Sequence, residues 1–395
     1  MAEMESGQRS ALPVAWVVPG PLRQVTGGYL YDARIVDGLR ARGWRVGVVD
    51  VRVTGWPLDL AAGRRLAHAL AGQRWGAVVV DELAHPALAA AALSGRLRAA
   101  LGGAPLALLV HHLRCSEPAP PYLRYVARLV EQVAVRAAAL VVCTSETTAQ
   151  IVRSMARTGV SVRVVRPGWD THGREAPSPT PPPCEGEGLN RPVVSANMLQ
   201  VLLVGHWTPR KGILDALAAL ERAPAGVTLD LVGEQDRDLA YAARVRTALA
   251  RPTLSGRVRV HGRVSDEQLH SLFDAADALI LPSTYEGYGM VLAEALVAGL
   301  PIVATRVGAV PEVVRDGMEA ELVDPGDIGG LARAIARLAD DPAERARRAA
   351  LARERAADLP SWCQSVDAFA SVLHELVKRP DCTRSAASAS PSGHG

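Results

Sequence analysis

Short apolar runs recur along the chain, each followed by a turn rich in glycine or proline and then by a stretch whose apolar residues return every three or four positions. The first run, residues 14–18, ends at Pro19-Gly20 and is followed by a Gly27-Gly28 turn and an amphipathic stretch over 29–42. This spacing predicts strand, loop and helix. The alternation continues with strands at 46–53, 77–80, 106–110 and 140–143 and helices at 63–72, 88–101 and 123–139. Such a series predicts βαβ units around a mostly parallel sheet, because parallel neighbours need a crossover and both faces of the sheet must be covered. The pattern stops between 171 and 200, where five prolines fall between Pro177 and Pro183, and this segment reads as a linker or flexible insertion. It then resumes, with strands at 201–204, 228–232, 258–260, 278–281 and 302–304 and helices at 213–221, 239–249, 266–275, 290–298, 329–338 and 343–357. The expected layout is an α/β domain over 12–172, a linker over 173–198, a second α/β domain over 199–357, a helix over 358–377 and a disordered polar tail over 378–395. In doubly wound sheets, ligands bind at the loops beyond the carboxyl ends of the strands, so the chemistry is expected there.

Composition narrows the field. With 395 residues, 49% apolar and 22% charged, the chain has material for two cores and is not disordered as a whole. Its 7 Trp, 7 Tyr and 2 Phe are too few for a base-stacking platform, and a net charge of +3 is too slight for a phosphate-neutralising surface, so nucleic acid is not an expected partner. The five cysteines show no paired spacing, which points to a reducing compartment, and neither zinc spacing nor H-E-x-x-H occurs, so no metal is expected. No apolar run reaches the roughly 18 residues of a membrane span, and the N-terminus has no basic stretch before a long apolar one. A soluble, cytoplasmic protein is expected, with contact to a membrane surface left open.

The segment after strand 278–281 concentrates candidate chemistry. Glu286 lies in the loop, Gly287 and Gly289 leave backbone amides uncovered, and a helix opens at Met290. Free amides at a helix N-terminus favour an anion such as a diphosphate. Glu294 follows eight residues after Glu286, and its two acceptor oxygens suit a ribose diol. Taken singly, Glu286 also reads as a turn residue and Glu294 as an early-helix acid favoured by the dipole. Arg210-Lys211-Gly212 reads either as an exposed basic turn or as a phosphate clamp.

Together these residues carry a resemblance. The stretch EGYGMVLAE over 286–294 resembles the E-x7-E motif of the retaining family 4 glycosyltransferases, whose GT-B fold is α/β with two facing Rossmann-like domains. VGHWTPRKGI, VRVHGRVSDEQLHSLFDAADALILPS and GLPIVATRVGAVPEVVRDG in the second half resemble the same family, as do TGGYLYDARIVDGLRARGWRV, VVCTSE and VRVVRPGWD in the first. The resemblance covers about 14–170 and 201–377. It implies transfer of a hexose from a nucleotide-diphosphate sugar to an unidentified acceptor hydroxyl, with retention and without a metal. The acceptor stays open between a small metabolite, a polysaccharide and a lipid-linked sugar.

By the same resemblance Lys211, with Arg210 beside it, stabilises the departing diphosphate, Glu286 holds sugar hydroxyls, and Glu294 holds the ribose. Gly287, Tyr288, Gly289 and Met290 line the donor, Gly27 and Gly28 approach its phosphates, and His111 contacts the transferred sugar. His112 and Glu117 are candidates for the acceptor. One departure stands out, because His206 occupies the position where many members carry a phosphate-binding Arg. Retention lets the leaving oxygen take the acceptor proton, and no separate general base is evident in the first half of the sequence. Asp236-Arg237-Asp238 reads as a helix cap and not as a metal site. A last helix containing Trp362, with Val366, Phe369, Val372 and Leu373 on one face, is expected to cross back to the first domain. Epimerisation or hydrolysis of a sugar nucleotide, and non-catalytic binding of one, stay open as alternatives.

Overall fold

The computed structural model describes residues 12–22, 26–169 and 198–378, so most of the expected linker and the tail beyond 378 lie outside the described residues. The chain divides into two compact units: residues up to 168 together with those from 360 onward, and residues 169–359.

The first unit runs β1 (Val14–Val18), α1 (Gly27–Ala41), β2 (Val46–Asp50), α2 (Leu60–Ala71), β3 (Ala77–Asp81), α3 (His85–Leu93), α4 (Arg96–Leu101), β4 (Leu106–Val110), α5 (Pro121–Ala137), β5 (Leu140–Cys143), α6 (Glu146–Met155) and β6 (Ser161–Val164). Its six strands are parallel, in the order β2-β1-β3-β4-β5-β6. Strands β1, β3, β4 and β5 are buried at every position, and this double-sided burial is why they read as continuous apolar runs. Edge strand β6 alternates polar and apolar residues over only four positions, too weak a pattern to stand out in the sequence. The single helix expected over 88–101 is two, broken where Gly95 adopts φ 72°. Asp59 starts α2 earlier than the periodicity indicated, by accepting from the amide of Ala62 at 2.7 Å.

The second unit continues with β7 (Leu199–Val204), α7 (Ile213–Arg222), β8 (Val227–Val232), α8 (Leu239–Leu249), β9 (Val258–Gly262), α9 (Asp266–Ala275), β10 (Ala278–Leu281), α10 (Met290–Ala298), β11 (Ile302–Thr305), α11 (Val310–Val313), β12 (Ala320–Val323), α12 (Ile328–Asp340) and α13 (Pro342–Ala356). All its strand pairs are parallel, in the order β12-β11-β10-β7-β8-β9. Asp238 caps α8 through the amide of Tyr241. The short edge strand β12, like β6 and the helices α6 and α11, is an element that the apolar pattern did not indicate.

The last helix, α14 (Trp362–Lys378), belongs to the first unit and packs on α1. Phe369 lies 5.2 Å from the ring of Trp16 in β1, Arg42 pairs with Asp367 at 2.6 Å, and the Ser365 hydroxyl donates to the Arg166 carbonyl at 2.8 Å. A Cβ at Gly38 would come within 2.4 Å of Val366, so glycine is what lets the two helices approach this closely.

Candidate active site

In the second unit β7 and β10 are paired, and it is between them that the strand order reverses. Their outgoing loops therefore diverge and leave a crevice at the carboxyl ends, the usual ligand position in this topology. The loop after β7 is anchored by the buried Trp207 and closes in a tight turn over Pro209–Lys211. Gly212 follows with φ +64°, and a Cβ there would lie 1.9 Å from the Pro282 carbonyl oxygen. Only glycine combines that conformation with that approach. The Thr284 amide donates to the Arg210 carbonyl at 2.8 Å and ties the two loops together.

The consequence is a cluster around Glu286, which is 5% exposed. Lys211 Nζ donates to Oε1 at 2.6 Å, the Ser283 hydroxyl donates to the same oxygen at 2.7 Å, and Arg210 Nη1 lies 3.4 Å from Oε2. Arg210 Nη1 also donates to the Tyr285 carbonyl at 3.1 Å. Burial alone would raise the Glu286 pKa, but the charges of Lys211 and Arg210 and the bonds from Lys211 and Ser283 bring it down to about 2. Burial, with the charge of Arg210, pulls Lys211 below its usual range despite Glu286. The sequence brought Lys211, Arg210 and Glu286 forward; the structure adds Ser283, which the pattern did not single out.

Helix α10 opens at Met290 beyond Gly287, the buried Tyr288 and Gly289, its N-cap. Glu294, in its second turn, is raised to about 8, first by burial and then by the charge of Asp266, with Lys211 opposing. His206 lies beside Glu234, with Nδ1 3.7 Å from Oε2, and Glu234 in turn meets Arg237 at 2.8 Å and Arg263 at 3.5 Å.

In the first unit the order reverses between β1 and β3, and the same reasoning applies. The Gly27-Gly28 turn opens α1 beyond β1, Asp81 ends β3, and His111 follows β4 directly. The inward face of α1 carries the fully buried Asp32, to which the Trp16 indole donates at 3.3 Å. His111 Nε2 lies 3.1 Å from Asp32 Oδ1 and 3.3 Å from Asp81 Oδ2, and the ring of Tyr31 meets the imidazole edge-on at 5.2 Å. A Cβ at Gly28 would sit 3.1 Å from His111 Cδ2, so this turn lies over the imidazole. His112 makes a separate set of contacts, through Nδ1 to Glu82 Oε1 at 2.8 Å and through Nε2 to Glu117 Oε1 at 3.1 Å, as befits adjacent residues on an extended chain.

Burial would lower the His111 pKa, but hydrogen bonds to Asp32 and Asp81 raise it well above the usual value. Asp81 is pushed up to about 7, first by burial and then by the charge of Asp32. Among the described residues these are the three side chains whose potential ligand atoms come closest together, within 4.8 Å. The short contacts from Nε2 to both carboxylates are those of a shared N–H, and the trio reads as a hydrogen-bonded ion pair. The sequence brought His111 forward, and the structure adds Asp32 and Asp81 as its partners. Asp81 went unseen because it closes an otherwise apolar strand, AVVVD, and Asp32 because its helix face is otherwise apolar or aromatic.

Comparisons with known proteins bear on the family and the fold. Residues 199–341 match the family model for glycosyl transferases group 1. A glycogen synthase of Mycobacterium tuberculosis is 36% identical over 186 residues, 46% of this chain and 43% of the relative, so the match spans less than half of that protein's length. The MMP alpha-(1->4)-mannosyltransferase of Mycolicibacterium hassiacum is 32% identical over 337 residues, 81% of this chain and 76% of the relative. Among solved structures, Anabaena HepE in complex with UDP and glucose superimposes with a TM-score of 0.72 at 21% identity, covering 92% of this chain and 100% of that one. With two parallel six-stranded α/β units and this extent of identity, the chain belongs to the glycosyl transferases group 1 and has their GT-B fold.

Proposed function

We propose that the chain is a retaining glycosyltransferase that moves a hexose from a nucleotide-diphosphate sugar to an acceptor hydroxyl, without a metal ion, in the cytoplasm. The observation that carries this reading is the buried Lys211–Glu286 contact of 2.6 Å, with Arg210 beside it, at the switch point of the second sheet. In the proposed reaction the acceptor oxygen bonds to the anomeric carbon as the bond from that carbon to the diphosphate oxygen breaks, on one face of the sugar. The departing diphosphate oxygen takes the acceptor proton, so the products are a glycoside and a nucleoside diphosphate. Lys211 and Arg210 stabilise charge on the leaving group, and preorganised donors of this kind are each worth about 2.7–4 kcal/mol. Glu286, kept ionised, accepts from sugar hydroxyls, Glu294 accepts from the ribose, and His206 with the amides of Gly287, Tyr288, Gly289 and Met290 binds the donor; the family resemblance assigns Gly27 and Gly28 to the donor as well. His111 contacts the transferred sugar, and His112 with Glu117 serves the acceptor.

A thermal-shift screen of nucleotide sugars, beginning with UDP-glucose because UDP and glucose occupy HepE, tests the donor. A donor at about 100 times its Kd adds about 2.7 kcal/mol and raises the Tm by several degrees. Release of nucleoside diphosphate in step with an α-configured product then tests transfer. A protein that no nucleotide sugar stabilises overturns the reading.

A further inference from the structure

The Asp32–His111–Asp81 cluster has more structure than a residue in contact with sugar requires. Two carboxylates, 0% and 2% exposed, converge on one imidazole nitrogen from different elements, Asp32 from α1 and Asp81 from the end of β3. Each is fixed from behind: the Trp16 indole donates to Asp32 Oδ2 at 3.3 Å, and Asp81 Oδ1 accepts from the Leu83 amide at 2.7 Å. Ionised carboxylates only accept, so with both aspartates ionised Nε2 carries the hydrogen. Nδ1 makes no hydrogen bond to any described residue, and the His111 side chain keeps 12% of its surface exposed.

We propose that Asp32 and Asp81 are positioning residues that jointly hold His111 as an imidazolium, with Nε2–H divided between them and Nδ1–H presented as a fixed cationic donor to a substrate oxygen. Two carboxylates offset the desolvation of one buried cation better than one does, and they set the ring plane as well as its charge. The other titratable groups around the ring do not supply a competing proton acceptor. Tyr31, on α1, meets it edge-on and stays neutral because burial raises its pKa. Glu82, beyond β3, is committed to His112 through Nδ1 and the backbone amide, and His112 spends its other nitrogen on Glu117. The arrangement inverts the usual pairing in which one carboxylate orients a neutral histidine to act as a base. His111 so held donates to an oxygen and does not abstract a proton, which suits the reaction proposed above, where the leaving oxygen itself takes the acceptor proton.

The test reads the imidazole directly in the full chain, by NMR of 15N-histidine-labelled protein between pH 5 and 10. The His111→Gln variant assigns the signal. In the native protein His111 stays doubly protonated above pH 8. Asp32→Asn and Asp81→Asn each bring its midpoint down by at least one pH unit, and the two together bring it down further. A native midpoint near the ordinary value of 6.5, or midpoints unmoved by both variants, overturns the clamp. Tight, stoichiometric Zn2+ or Mn2+ uptake that displaces the Nε2 proton and is lost in the variants also overturns it, in favour of a metal centre. Should Asp32→Asn fail to fold, Asp81→Asn, which leaves the Trp16 contact in place, decides the matter alone. The kinetic arm rests on the transferase reading: with the donor found in the screen, both variants lower kcat at least 10-fold with the donor KM within threefold, and the alkaline limb of kcat moves to lower pH. An unchanged kcat overturns the substrate-facing role. Absence of any turnover in the native protein counts against the transferase reading, and the NMR result still decides the clamp.

Discussion

The two sheets place opposite chemistry at corresponding points. At the β7/β10 reversal two cations, Lys211 and Arg210, hold one buried carboxylate, Glu286; at the β1/β3 reversal two carboxylates, Asp32 and Asp81, hold one histidine. Both clusters lie at the carboxyl ends of parallel strands whose order reverses, because loops leaving in opposite directions there expose side chains that the sheet itself buries. The difference lies in what each cluster can still offer a ligand. The first has a surplus of positive charge suited to phosphate; the second has a surplus of negative charge with one N–H directed away from it.

The largest effect expected from breaking this contrast is on turnover. Lys211→Ala should lower the transfer rate by about 10²- to 10³-fold, measured with the donor found in the screen. A near-native rate would remove Lys211 from the machinery and leave the second cluster as structure.

Next comes stability, since Lys211 and Glu286 are buried together. Lys211→Met removes the shortest charged contact of a buried carboxylate and should cost about 3 kcal/mol in urea unfolding, whereas Lys211→Met with Glu286→Gln should recover most of that loss without recovering activity. If the double variant stays as unstable as the single one, the pair is not the unit that the geometry indicates.

The pH responses should diverge as well. Glu286 has a folded pKa of about 2, below its ordinary 4.5, so it contributes stability above 4.5 that is lost as pH falls toward 2. His111 is raised, so its contribution is complete below the ordinary 6.5 and is lost as pH rises through its folded value. Hydrogen exchange followed by peptide should therefore show 205–212 and 283–290 loosening on the acid side, and 27–34 and 106–112 on the alkaline side. The same response in both sets of peptides would erase the distinction. Glu294 acts in the opposite sense to Glu286: its raised pKa of about 8 makes stability fall between pH 4.5 and 8, and Glu294→Gln should flatten that fall in a series of Tm values.

The smallest effect belongs to Glu117, whose contact with His112 is one-third exposed on the Glu117 side. Glu117→Gln should change stability by less than about 1 kcal/mol. A larger loss would mean that His112 and Glu82 form a third structural cluster.

Much of this was legible without coordinates. Strands β1, β3, β4 and β10 were readable because burial on both faces demands unbroken apolar runs, and Lys211, Arg210 and Glu286 because glycines and a helix start flank them. Edge strands β6 and β12 were not, since an edge tolerates polar residues and four positions give no periodicity. Ser283 resembled any loop serine. Asp32 and Asp81 stand 49 residues apart, in segments that otherwise read as core.

By itself the sequence determined that strands and helices alternate, where the glycine-flanked loops fall and which family the motifs resemble, because local spacing and residue type are sufficient for these. Tertiary structure alone decided that two aspartates distant in the chain meet on one imidazole nitrogen, and that Lys211 faces Glu286 across 75 residues at 2.6 Å. The charge state of a buried group depends on which partners the fold brings within hydrogen-bond reach, and that depends on strand order, which local pattern does not encode.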